Sequence, residues 1–162
     1  MTRAYDDVGC GSVRDVSGNI AGPAGKAMTL CLLNVERARA GLQPLVENPL
    51  LDRAAERHSA DMVARRFFEH VNPDGVPPEN RMGAAGYTLL PGGMTGENIA
   101  WGDGGLASPA AIMDGWMHSP GHRENILRPG FREVGIGVSL GNRPDPAGDT
   151  LRAATYTTDF GG

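Results

Sequence analysis

The chain has 162 residues, a mass of 17.0 kDa and a formal net charge of −4 at pH 7, a length that fits one domain. Apolar residues make up 40% of the chain and charged residues 21%, which favours a packed core and argues against disorder. The acidic balance argues against nucleic acid as a main partner, because phosphate binding needs a basic face. The longest apolar run, residues 27–33, falls far short of the about 20 residues that span a bilayer, so no transmembrane segment is predicted.

Residues 1–25 are polar and rich in glycine, which predicts an extended N-terminal arm ahead of a domain over residues 26–162. The two cysteines, Cys10 and Cys31, allow a single disulfide that would anchor this arm. Such a bond would place the protein in an oxidising compartment; the alternative is two unrelated thiols, with Cys31 a small core residue. No signal peptide is visible at the start, so either the protein is cytosolic or the sequence begins after a removed signal.

Five helices are predicted from apolar periodicity and capping residues. Apolar positions recur at helical spacing from about residue 27, and again after Asn48, which is placed as an N-cap with Pro49 in the first turn. Ser108 and Ser119 are each followed by proline in the same way. The predicted helices cover residues 27–40, 49–66, 79–85, 109–117 and 120–127.

Three strands are predicted, over residues 95–100, 134–140 and 151–160, the last two forming a hairpin. On the middle strand, Gly135 and Gly137 form a small-residue face, which predicts the close approach of another backbone or helix. Helices that precede a strand and a terminal hairpin indicate an α+β fold, in which helices cover an antiparallel sheet. Trp116 and Phe160 are expected to be core residues.

Single polar residues carry the candidate chemistry, because the sequence lacks the GxSxG, SxxK, P-loop, GxGxxG and HExxH motifs. His58 lies on the apolar stripe of its helix and is expected to be a core histidine. His70 follows a helix end in a turn-rich loop, where functional groups are often displayed. His122 takes the third position of its helix, where the helix dipole favours a neutral ring that can accept a proton or bind a metal.

Glu97 is predicted to lie on a strand with few charges around it, and a carboxylate there needs a partner. Arg81 as that partner would make a structural salt bridge, whereas a histidine or a cation would make Glu97 functional. Together with His70 and His122, Glu97 could form a divalent-metal set or an acid–base cluster.

An ordered set of motifs resembles the CAP superfamily, which contains cysteine-rich secretory proteins, antigen 5 and plant pathogenesis-related proteins. The GHRxNIL form is similar to the bacterial, SCP-like branch, and the resemblance covers about residues 27–160. The motifs are FEHVNPDG, GENIA, WMHSPGHRENIL, VGIGV and YTTDF, at residues 68–75, 96–100, 116–127, 134–138 and 156–160.

The resemblance implies a three-layer α-β-α sandwich with a central antiparallel sheet and a cleft that carries two histidines and two acids. The histidines of the family fall on His70 and His122, and one glutamate falls on Glu97. Ser119 stands at the position of the second glutamate, so a weaker cation site with a water-filled position is expected. The resemblance also implies secretion, with metal binding in many members and sterol or lipid binding in some.

Three functions are consistent with these features. The first is a secreted ligand- or lipid-binding module whose cleft, formed by His70, Glu97 and His122, holds a divalent cation, with Zn²⁺ preferred. The second is a peptidase-like, metal-dependent hydrolase in which Glu97 positions water and a histidine acts as acid, base or ligand; it is less favoured because no nucleophile motif is recognised. The third is a structural cell-surface interaction module. The expected partner is a small hydrophobic ligand or a cell-surface component.

Overall fold

The computed structural model describes residues 5, 8–10, 20–145 and 152–162. These residues form five α-helices, a short 3₁₀ turn and four strands, which is the predicted α+β class. In chain order the elements are α1 (Pro23–Arg39), β1 (Val46–Glu47), α2 (Pro49–Arg65), α3 (Pro78–Ala84), β2 (Thr95–Asp103), the 3₁₀ turn (Gly104–Ala107), α4 (Pro109–Met117), α5 (Pro120–Ile126), β3 (Glu133–Asn142) and β4 (Arg152–Gly161).

The predicted helices are present, with shifts of a few residues at their ends. The Asn48 side chain caps α2 by accepting from the amide of Leu50, and the Ser108 side chain caps α4. Helix α1 begins at Pro23, inside the segment expected to be an extended arm, because proline is well suited to a first helical turn. Most of that arm, residues 1–4, 6–7 and 11–19, lies outside the described residues.

The strands lie in the order β1-β3-β4-β2, and β4 pairs antiparallel with both β2 and β3. The sheet is nevertheless mixed and not purely antiparallel as expected, because β1 pairs parallel with the start of β3. A strand of two residues is too short to show an alternating pattern in the sequence. It forms here because the link from α1 to α2 runs beside β3.

Helices cover both faces of the sheet, as the three-layer prediction requires. Helices α1, α4 and α5 enclose the main core on one face, where Trp116 and Phe160 are 1% and 0% exposed. Helix α2 covers the other face with α3 beside it. The predicted close approach is confirmed: a Cβ added at Gly137 would lie 2.2 Å from the carbonyl carbon of Ala55 on α2.

Two long-range connections tie α1 to the rest of the chain. The predicted disulfide between Cys10 and Cys31 is present and joins residues 8–10 to this helix. The buried guanidinium of Arg37 donates to four backbone carbonyls, those of Gln43, Ile126, Arg128 and Phe131. In the described part of the chain, none of the helices has the length and apolar character needed to span a membrane.

Candidate functional site

Glu97 lies on β2, with its side chain on the face of the sheet that α2 covers. The side chain is 2% exposed, and both carboxylate oxygens have partners. His70 Nδ1 lies 2.7 Å from Oε1, and Arg81 donates to Oε2 at 2.5 Å. Burial acts to raise the pKa of Glu97, but the hydrogen bond from His70 and the positive charge of Arg81 oppose it, and that pKa lies below its usual value. Both partners that the sequence offered as alternatives therefore bind this carboxylate.

Asp159 lies directly opposite Glu97 on β4 and is fully buried. Burial, followed by the negative charge of Glu97, raises the pKa of Asp159 well above its usual value. Within the described residues, neither of its carboxyl oxygens has a hydrogen-bond partner. Burial beside the Glu97 carboxylate therefore favours the protonated, uncharged form of Asp159.

The loop after α2 places His70 beside Glu97. Helix α2 is followed by its capping residue Arg66, which adopts a left-handed conformation with φ of 55° and ends the helix. Arg81 of α3 then donates to the backbone carbonyls of His70 and Val76 at 2.7 and 2.9 Å. One arginine therefore fixes both the loop that carries His70 and the carboxylate that orients its ring.

His58 is confirmed as a buried histidine of α2, with its side chain fully covered. Its Nε2 donates to the carbonyl of Glu69 at 3.0 Å and lies 3.9 Å from Glu97 Oε1. Burial lowers the pKa of His58 in spite of the nearby carboxylate. The neutral His58 ring therefore bonds to the backbone just before His70 and adds no charge to the site.

His122 lies at the start of α5, and its Nδ1 is 2.9 Å from the hydroxyl of Ser119. The serine that was expected to cap the helix backbone makes no such bond and holds the histidine ring instead. Burial, followed by the charge of His70, lowers the pKa of His122, which favours the neutral ring.

The two histidines have the same arrangement: each Nδ1 is held, by Glu97 or by Ser119, and each Nε2 has no hydrogen-bond partner among the described residues. Imidazole rings oriented in this way fit a metal such as Zn²⁺, which prefers nitrogen ligands with a hydrogen-bonded second nitrogen. The described residues contain no group of three or more His, Cys, Asp or Glu side chains placed to hold a metal. His70 and His122 are therefore the candidate ligands here, whereas both oxygens of Glu97 are bound by His70 and Arg81.

A groove of about 380 Å³ begins at His122 and follows the edge of β2. We call it the β2 groove. Its lining is mostly apolar and comes from the loop before His70, from β2, from the 3₁₀ turn and from α4. The lining residues are Phe68, Ile99, Ala100, Trp101, Leu106, Ala111, Ile112, Gly115, Trp116, Ser119 and His122.

Sequence reasoning missed Asp159 as part of the site. It was noted only as a member of a motif, although a carboxylate within a strand of buried residues is itself a signal that needs a partner. Sequence reasoning also missed Asn125, which donates to the Glu97 carbonyl at 3.2 Å and to the Asn98 side chain at 2.9 Å. These bonds attach α5, and with it His122, to the strand that carries Glu97.

Residues 30–145 match the family described as CAP: Cysteine-rich secretory protein family. The chain is 37% identical over 106 residues to the uncharacterized protein YkwD of Bacillus subtilis (strain 168). This match covers 65% of this chain and 39% of the relative. It is 33% identical over 109 residues to the uncharacterized membrane protein YlbC of the same organism. That match covers 67% of this chain and 30% of the relative. The chain thus spans less than half the length of these curated relatives.

Solved structures share the fold. An extracellular protein containing a SCP domain from Bacillus anthracis str. Ames aligns with a TM-score of 0.65 and 27% identity, over 82% of this chain and 38% of that one. An outer surface protein from Borrelia burgdorferi aligns with a TM-score of 0.58 and 19% identity, over 80% and 85% of the two chains. At that lower identity the likeness concerns the fold alone.

Proposed function

This chain belongs to the CAP family of cysteine-rich secretory proteins, and we propose that it is an extracellular binding module whose cleft holds a divalent cation between His70 and His122. The disulfide between Cys10 and Cys31 supports the location, because such bonds persist in oxidising compartments. The structural relative from Bacillus anthracis, described as an extracellular protein, supports it as well.

The observation that carries the cation proposal is the matched orientation of the two rings. His70 Nδ1 is held by Glu97 and His122 Nδ1 by Ser119, so both Nε2 atoms remain available as ligands. Ser119 is neutral, so the site has one negative charge fewer than two carboxylates would give. We therefore expect the cation to bind weakly, with water or a ligand oxygen in its remaining coordination positions. Bound there, a cation such as Zn²⁺ would supply a Lewis-acidic contact for a ligand oxygen.

The geometry supports a binding module better than the hydrolase alternative. A hydrolase of the kind considered needs a carboxylate that can reach a water molecule, and both oxygens of Glu97 are already bound by His70 and Arg81. The small hydrophobic ligand expected from the sequence would fit the β2 groove, which opens beside His122.

Thermal unfolding with and without Zn²⁺ tests the cation site. Zn²⁺ at 100 times its Kd should stabilise the wild type by about 2.7 kcal/mol. His70→Ala and His122→Ala should each abolish that gain and leave the metal-free fold intact. His118→Ala is the matched control, because the His118 side chain is 59% exposed at the end of α4 and bonds to Asp114. It should respond to Zn²⁺ as the wild type does.

Each result decides between the proposed roles. A histidine variant that still gains stability from Zn²⁺ as the wild type does would show that this histidine is not a ligand. If both variants keep the gain, the two rings serve the fold alone, and the structural interaction module becomes the better description of this domain.

A further inference from the structure

His70 and His122 are each held at two points, one on the backbone and one on the ring. The carbonyl of His70 accepts from Arg81 at 2.7 Å, and the carbonyl of His122 accepts from the side chain of Asn98 at 3.0 Å. The Nδ1 atom of each ring is also within hydrogen-bond distance of a side chain. The two histidines lie on different elements, yet both carry the same pair of restraints.

The anchors of the two histidines are neighbours on β2, which is an edge strand of the described sheet. Glu97 binds the ring of His70 on the face that α2 covers. Asn98 faces the opposite side, because successive residues of a strand alternate between the two faces, and it binds the backbone of α5 there. A single residue step along one strand therefore connects the restraint on His70 with the restraint on His122.

A second asparagine completes the connection between β2 and α5. Asn98 is fully buried, and its Oδ1 accepts from the side chain of Asn125 at 2.9 Å while its own amide donates to His122. Asn125 also donates to the Glu97 carbonyl at 3.2 Å. A Cβ at Gly96 would lie 3.0 Å from Asn125 Oδ1, so the glycine leaves room for this contact. We call Asn98 and Asn125 the amide clamp.

The amide clamp defines one place for α5, which apolar packing alone would not do as strictly. If the Asn98 amide turned over, its donor would face the Asn125 donor and its oxygen would face the His122 carbonyl. Such a mismatch in a buried position costs the full desolvation of those groups. Hydrogen bonds of this kind are directional, whereas apolar contacts tolerate small slips.

We propose that Asn98 and Asn125 are positioning residues for the cation cleft, and that the amide clamp sets the place of His122 relative to His70. Neither asparagine touches the cation in this assignment, and both act through His122. A Zn²⁺ ion needs each nitrogen ligand at about 2.0–2.1 Å, so a small shift of α5 would weaken binding. This inference rests on the proposed cation site and names the residues that tune its affinity.

Zn²⁺ titration of two leucine variants tests the amide clamp. Leucine keeps the branched shape of asparagine but can neither donate nor accept, so Asn98→Leu and Asn125→Leu each remove bonds of the clamp. Each variant should bind Zn²⁺ about 10–100-fold more weakly, which is the usual loss when a residue that orients a metal ligand is changed. Co²⁺ bound in place of Zn²⁺ should show an altered visible absorption spectrum, because that spectrum reports the coordination geometry.

Ile126→Val is the matched control for both variants. Ile126 is a fully buried apolar residue of the same helix, so its truncation weakens packing without touching the clamp. It should lower the Tm in EDTA but keep the wild-type Zn²⁺ affinity and Co²⁺ spectrum. Asn125 is only partly buried, so Asn125→Leu should fold even if Asn98→Leu does not; circular dichroism in EDTA checks the fold.

The outcomes separate this inference from the cation proposal. Wild-type Zn²⁺ affinity in the folded leucine variants, or an equal loss in Ile126→Val, would overturn the positioning role and leave the cation site standing. Failure of both leucine variants to fold would also overturn it, because the two amides would then serve the fold. A wild-type protein that binds no Zn²⁺ would refute the cation proposal itself, and this inference with it.

Discussion

Arg81 is the residue that balances the buried charge of Glu97. Their side chains are 10% and 2% exposed and meet at 2.5 Å. Removing one partner of a buried ion pair leaves an uncompensated charge, so Arg81→Ala should lower the free energy of unfolding by about 3–5 kcal/mol. Urea unfolding at pH 7 measures this loss. The control is Arg53→Ala on exposed α2 surface, which should cost less than about 0.5 kcal/mol; equal costs would mean that Glu97 is not charged.

The burial of Asp159 beside Glu97 predicts a pH dependence. Its raised pKa means that folding favours the protonated form, so its contribution to stability is complete below the unfolded pKa of about 3.9 and declines as pH rises toward the folded pKa. Asp159→Asn has no ionisable group at this position and therefore removes this decline. The variant should gain stability relative to the wild type as pH rises above the unfolded pKa of about 3.9, measured as Tm at each pH. A constant difference between the two proteins would contradict this assignment.

At the scale of elements, α2 packs so closely on β3 that no side chain fits at Gly137. A Cβ at Gly137 would lie 2.2 Å from backbone atoms of Ala55, and neither element can move without breaking the bond from Ser59 to the Gly137 carbonyl. Gly137→Ala should therefore cost at least about 3 kcal/mol in urea unfolding.

The matched control for this prediction is Gly115→Ala on α4. The added methyl group there meets open space, so the variant should gain roughly 0.5–1 kcal/mol from better helix propensity. A Gly137→Ala protein as stable as the wild type would show that α2 can lift from the sheet, and that the two layers are not held in contact as described.

At the scale of the whole molecule, the disulfide joins the N-terminal segment to α1. Cys10 and Cys31 are 21 residues apart, and closing a loop of that length stabilises the folded state by about 3 kcal/mol in the chain-entropy model. Reduction, or a Cys10→Ser/Cys31→Ser double variant, should lower the free energy of unfolding by about that amount. Guanidinium unfolding with and without dithiothreitol measures it. A reductant that lowers the stability of the double variant equally would show that the effect does not come from this bond.

The sequence by itself predicted the class of the fold and most of its elements, and it named candidate site residues. Helix ends followed from local chemistry, such as Asn48 and Ser108 as caps, and the alternating glycines of β3 predicted a close contact with another element. The motif resemblance assigned His70, Glu97 and His122 to one cleft. The predictions of helices and strands succeed because capping and periodicity act within a few residues along the chain.

Only the tertiary structure decided which partner each polar group has. Arg81 and His70 both bind Glu97, although the sequence presented them as alternatives, and Asp159 lies directly opposite that carboxylate although it is 62 positions away along the chain. Ser119 holds His122 instead of capping its helix, and β1 adds a parallel strand to the sheet. These outcomes depend on register and on burial, which bring distant residues together in a low-dielectric interior, and no local pattern encodes either one.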